Sequence, residues 1–173
     1  MPHVATFARA LYQLHAGGLL RESACKDAVK MFIRRSTETT HFHATSHYRS
    51  AAAAQLLAQQ PPFRSPGAYQ AFCRRNLRHE HMVPGEVIYR LIVAEGNTIT
   101  EARLADTLRR FGLRATITRD EDDLLTTRFR HTMPAEFWTA NSPLAGEPLA
   151  RYIVTGIAEG LRRRTADSWL LES

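Results

Sequence analysis

Arg78-His79-Glu80-His81-Met82-Val83-Pro84 is the stretch on which the reading of the fold turns. Three groups able to move protons or bind metal stand on consecutive residues, and a proline then restricts the backbone. Histidines in the last turn of a helix favour the negative end of its dipole. The stretch therefore reads first as the C-terminus of a helix that opens at Ser65-Pro66, with serine as cap and proline at the first helical position. The alternative is an extended chain, whose successive side chains point to opposite faces. His79 and His81 would then share one face, with Glu80 on the other.

Outward from this stretch the pattern is mainly helical. On the N-terminal side, Val4, Phe7, Ala8, Leu11 and Leu14 recur at helical spacing over 3–16, and Gly17-Gly18 ends the run. A second helix is expected over about 20–35 and an alanine-rich third over about 46–59. The polar segment 36–43 between them reads as a loop. Pro61-Pro62 stops the third helix, and residues 61–66 are the candidate subdomain boundary within a single domain of 1–173. On the C-terminal side, a strongly apolar helix covers 86–94. Thr100 caps a helix over 101–111, with Gly112 at its end. Residues 113–118 alternate and are β-branched, which predicts a strand. Thr118-Arg119-Asp120-Glu121 resembles a capping box that opens a short acidic helix to about residue 125. Residues 126–148 read as irregular, and a last helix is expected over about 149–163, exposing Arg162, Arg163 and Arg164 at its end. The fold class is mainly α, with six or seven helices and a small β element near 113–118.

Composition narrows the function classes. With 173 residues, 44% apolar and 23% charged, the chain is an ordinary globular protein rather than a disordered one. No apolar run reaches the roughly 18 residues that span a bilayer. The first 18 residues lack the uninterrupted apolar core of a signal peptide, so a cytoplasmic location without membrane partners is expected. Cys25 and Cys73 are too few for a disulfide framework and read as free thiols. The net charge of +6 is uneven: residues 1–78 hold eleven basic against three acidic residues, and residues 79–173 hold twelve against fourteen. Such a basic half favours a polyanionic partner, DNA or RNA above all, with an acidic protein surface as the alternative. Twenty-one of the 23 basic residues are arginine, the side chain suited to bidentate phosphate contacts. Arg74, Arg75, Arg78, Arg49 and Arg64 are the candidate nucleic-acid contacts.

Four clusters could carry chemistry. His79, Glu80 and His81 are the candidate catalytic residues, with imidazoles for proton transfer and a carboxylate for a hard cation. Asp120, Glu121, Asp122 and Asp123 follow the expected strand. Carboxylates so placed could hold Mg²⁺ or Mn²⁺ together with Glu80, or simply favour the positive end of a helix. His41, His43 and His47 form a histidine-bearing polar loop, a weak zinc signal without cysteines nearby. The arginines form the fourth set.

Glu80-His81-Met82-Val83-Pro84 also resembles the first motif of the HNH, or ββα-metal, nucleases. The resemblance covers about five residues. It implies that Glu80 holds a divalent metal and that His81 activates the attacking water. That family continues with an asparagine and a second histidine or asparagine, and only Asn97 stands in that window. The functional expectation is a small basic nucleic-acid-acting protein, a metal-dependent nuclease. The alternative is a non-catalytic nucleic-acid-binding or protein-binding regulator encoded by a mobile element.

Overall fold

Side-chain caps and apolar stripes set the helices. A computed structural model describes residues 3–36 and 46–163. Its first layer is α1 (Val4–Ala16), α2 (Lys26–Ser36), α5 (Gly85–Ala94) and α6 (Glu101–Phe111). Their inward faces, among them Leu11, Val29, Ile33, Ile88, Ile92, Leu104 and Leu108, are fully or nearly fully buried in one core. Thr100 caps α6 by accepting from the Arg103 N–H.

The second layer is a four-stranded sheet: β1 (Tyr48–Arg49), β2 (Leu77–His81), β3 (Arg114–Thr118) and β4 (Arg162–Arg163). The spatial order is β2-β3-β1-β4. β2 runs antiparallel to β3, β1 parallel to β3, and β4 antiparallel to β1. On one face sit α3 (Ala51–Ala58) and α4 (Pro66–Asn76), which meet β2 through Ala53, Cys73 and Leu77. The opposite face is covered by α7 (Arg119–Phe129) and α9 (Ala150–Val154), through Leu125 and Tyr152. The four-residue helix α8 (Ala135–Trp138) adds Phe137 to the helical core.

The mainly helical class stands, with nine α-helices among the described residues and a sheet larger than the single strand expected. Five expectations are corrected. The helix from Pro66 ends at Asn76, and 77–81 is a strand. All five of its residues find register partners on β3, so its backbone groups are paired there instead of in a helix. The alanine-rich helix starts at Ala51, not near 46. Ser50 is its cap, while His47 and Ser50 donate backbone N–H bonds to Arg114 and Thr116 of β3. The last helix stops at Val154 because Gly156 takes φ +76°, which glycine adopts at little cost. A 3-10 turn, Ile157–Gly160, then leads into β4. A Cβ on Gly160 would lie 2.5 Å from the Ala51 Cβ, so glycine is required where this turn crosses α3. Finally, α7 extends to Phe129, and two 3-10 turns precede α2 where one helix was expected. The segments on either side of 61–66 share one small core, with Ala53 from α3 and Cys73 from α4.

Candidate functional site

The strand alternation divides the candidate residues between two faces. His79 pairs in register with Thr116, and His81 with Arg114. Thr116 in turn pairs with Arg49, and Arg49 with Arg162. One face therefore carries a row His79–Thr116–Arg49–Arg162 across the sheet, with His81 and Arg114 one step along it. Glu80 pairs with Ala115, and Ala115 with Tyr48, on the other face. His79 and His81 share a face opposite Glu80, as the extended reading expects.

On the histidine face, hydrogen bonds assign proton positions. The Arg114 backbone N–H donates to His47 Nδ1 at 3.0 Å. The Arg114 Nε–H donates to His81 Nε2 at 3.2 Å. A histidinium has no acceptor nitrogen, so both contacts favour neutral rings. His47 then carries its proton on Nε2, and His81 on Nδ1. Burial, and then the positive charge of Arg114, with His79, Arg34 and Arg151 adding to it, hold His81 well below the ordinary imidazole value. The Arg114 guanidinium also donates to the Arg34 carbonyl at 2.7 Å, which fixes the end of α2 against this end of the sheet.

His79 differs. Its Nδ1 lies 2.5 Å from Ser46 Oγ, and Ser46 Oγ lies 2.7 Å from Thr116 Oγ1. Ser46 and Thr116 are both buried, while His79 is partly exposed. A hydroxyl can donate or accept, so this contact suits either protonation state of the ring. When His79 donates from Nδ1 to Ser46, and Ser46 donates to Thr116, the basic lone pair is left on Nε2.

The acidic candidates are held elsewhere. Glu80 Oε1 accepts from Arg151 at 2.5 Å. Arg151, 1% exposed, also donates to the carbonyls of Met82 at 2.8 Å, Phe129 at 3.3 Å and His81. Glu121 closes the capping box with Thr118 and accepts from the Ser50 hydroxyl at 2.7 Å. Asp122 faces Arg78 at 3.6 Å. Burial, and then the charge of Glu80, push its carboxyl above the usual range. Asp120 and Asp123 are exposed in the first turns of α7. The sheet thus separates Glu80 from His79 and His81. Among the described residues, no group of three His, Cys, Asp or Glu side chains is placed to hold a metal ion.

The arginines also divide. Arg74 and Arg75 are exposed in the last turn of α4, and Arg64 is exposed just before that helix. Arg78 lies on the Glu80 face and donates to the carbonyls of Arg74 and Leu77. Arg49 lies under α4 against the hydroxyl of Tyr69 and the thiol of Cys73. Burial pushes Tyr69 up to about 12 and raises Cys73 as well. Arg34 and Arg35 are exposed at the end of α2, where the Arg34 carbonyl accepts from Arg114. His41, His43 and Arg164 lie outside the described residues.

Sequence reasoning missed Ser46, Thr116, Arg114 and Arg151. Thr116 and Arg114 were recoverable. They occupy alternate positions of the expected strand, as His79 and His81 do of theirs, so an antiparallel pairing would bring the four together. Ser46 was hidden inside a helix assignment, and nothing local marks Arg151. No helix among the described residues is long and apolar enough to cross a membrane. Comparison with protein-family models, curated proteins and solved structures finds no match to this chain.

Proposed function

We propose that this protein acts on nucleic acid and cleaves its phosphodiester backbone, with His79 as the proton-transfer group. The observation that carries this reading is the His79–Ser46–Thr116 relay, on the sheet face that also holds Arg114, Arg49 and Arg162. A ring whose hydrogen bond to a hydroxyl suits both protonation states is what general acid–base catalysis needs. Arg162, exposed at the sheet edge in the same row, suits the charge of a phosphate. His81 and His47 act as neutral supports that orient Arg114. The Mg²⁺ or Mn²⁺ dependence suggested by the Glu80-His81 motif draws on carboxylates turned to the opposite face, so the chemistry proposed here runs through His79 without them. The same reading places the protein in the cytoplasm, with Cys25 and Cys73 as free thiols.

The test is incubation with plasmid DNA and structured RNA in Mg²⁺, Mn²⁺ or EDTA, for wild type and His79→Gln. The substitution should slow cleavage by about 10²- to 10⁴-fold, the usual contribution of a general base, and leave binding in place. Binding without cleavage in any metal would establish the non-catalytic alternative. Full cleavage by a folded His79→Gln variant would remove His79 from the chemistry.

A further inference from the structure

Charge is divided between the two sides of the sheet. Residues 46–79, a stretch that includes α3 and α4, hold five arginines and no aspartate or glutamate. Asp120, Glu121, Asp122 and Asp123 stand at the start of α7, on the opposite side. A polyanion is therefore drawn to the α3–α4 side and repelled from the other. On that side α4 has one fixed face and one open face. Tyr69 and Phe72 pack on Phe63 at ring distances of 5.2 and 5.4 Å, and Cys73 is fully buried. Ser65 caps the helix by accepting from the Ala68 N–H at 3.2 Å, and its end runs into β2 through buried Leu77. Gly67, Gln70, Ala71, Arg74 and Arg75, on the other face, are all exposed.

We propose that α4 binds double-stranded DNA by lying in its major groove, with Gln70 and Arg74 on base edges and Arg64 and Arg75 on phosphates. This rests on the nucleic-acid reading above and names the form of the partner and the element that meets it. Gly67, Gln70, Ala71 and Arg74 recur at i, i+3, i+4 and i+7, so they share one stripe of the helix. The glutamine amide matches the N6 and N7 positions of adenine, and the arginine fork matches O6 and N7 of guanine. Ala71 lies between them, and its methyl suits contact with a thymine methyl. Gln70 and Arg74 stand about 6 Å apart along the helix axis, or about two base-pair steps. A helix about 10–12 Å across enters a B-form major groove about 12 Å wide. The major groove of an RNA duplex is too narrow for side chains to read.

The charges on other helices make a contrast. Lys30 pairs with Asp27 on α2, and Arg109 with Asp106 on α6, each at a spacing of three residues. Helix α4 contains no acidic residue, so Arg74 and Arg75 meet no carboxylate within it. Arg64, exposed just before the helix, adds a third cation on the same layer. Because α4 is anchored at both ends and along its inner face, little ordering is needed when the outer face meets a ligand.

The experiment uses the full chain, on ice and in EDTA, to select duplexes from a random-sequence DNA pool. Fluorescence anisotropy then compares the enriched duplex with its single strand, with the same sequence as duplex RNA, and with a duplex carrying 7-deazaguanine at the most strongly selected guanine. The expected site holds an adenine and a guanine within about three base pairs of each other. The single strand and the RNA should bind about tenfold more weakly or worse. Arg74→Ala should weaken the enriched duplex by about 10- to 100-fold, and the 7-deazaguanine duplex should cost this variant nothing further. Gln70→Ala should relax the choice of adenine. Arg64→Ala should weaken all sequences alike and reduce the salt slope by about 1. RNA or single strand bound as tightly as the duplex, no enriched sequence, or full affinity for the 7-deazaguanine duplex overturns the inference and leaves the nucleic-acid reading intact. So does an unchanged preference in both Gln70→Ala and Arg74→Ala. No binding to any nucleic acid overturns both. The comparisons among nucleic acids use the unaltered chain, so they do not depend on any variant folding.

Discussion

Replacing Arg151 with methionine tests whether Glu80 is a structural anchor. Arg151 is 1% exposed and donates to Glu80 and to the carbonyls of Met82, Phe129 and His81. Methionine keeps much of the volume and removes every donor. Removing one partner of a buried ion pair costs about 3–5 kcal/mol, because the other is left uncompensated. Glu80 retains some access to water, with its side chain 31% exposed, which places the loss near the lower end of that range. The orphaned carbonyls add to it. A loss of about 4 kcal/mol is a large part of the 5–15 kcal/mol that stabilises a typical domain. For a chain of this size it corresponds to a fall in Tm of about 8–16 °C. Glu80→Gln should cost less, since its amide oxygen still accepts from Arg151. It should also be better tolerated in the Arg151→Met background, where no cation faces it. The assay is urea unfolding of wild type, both single variants and the double variant, as a thermodynamic cycle. Cleavage by folded Glu80→Gln should stay within about threefold of wild type, whereas loss of a metal ligand typically costs far more. A loss below about 1 kcal/mol for Arg151→Met, or loss of cleavage in a folded Glu80→Gln variant, would refute the anchor reasoning.

Stability should fall as the pH drops below about 6.5, because the folded His81 resists protonation while the unfolded ring accepts it. The stabilisation is present above the unfolded value and is lost towards the lower folded one, so thermal midpoints between pH 7.5 and 5 should decline, less steeply in His81→Gln. Arg162→Glu should weaken nucleic-acid binding more than Arg163→Glu, since register places Arg162 on the His79 face and Arg163 on the other. Filter binding over a salt series checks this, and charge reversal at exposed Arg74 and Arg75 should lower affinity and reduce its salt dependence.

Local signals placed much of the fold. Ser65, Thr100 and Thr118 mark helix starts because each side chain meets a backbone N–H three residues on, a contact written within a few residues. The β3 strand was legible from its alternation. The short partners β1 and β4 were not. Two residues carry no period, and pairing across more than sixty residues of sequence decides them. The 79–81 stretch turned on the same issue: its local chemistry suits a helix end, and only the presence of β3 as a partner makes it a strand. The site shows the same division. Two histidines two residues apart are visible in the sequence, whereas the serine that fixes one and the arginine that fixes the other come from distant segments. The acids after the strand had two local meanings, and the capping box settles Glu121 as a helix cap.

The central claim is that His79 alone among the three histidines of this face changes protonation state in the working protein. Imidazole nitrogen NMR across the stable pH range measures it directly, with His47→Gln, His79→Gln and His81→Gln used for assignment. The account predicts that His79 titrates in step with the cleavage rate. His47 should stay neutral with its proton on Nε2, and His81 neutral with its proton on Nδ1. A His79 ring that does not respond to pH, while His47 or His81 titrates with activity, would contradict it.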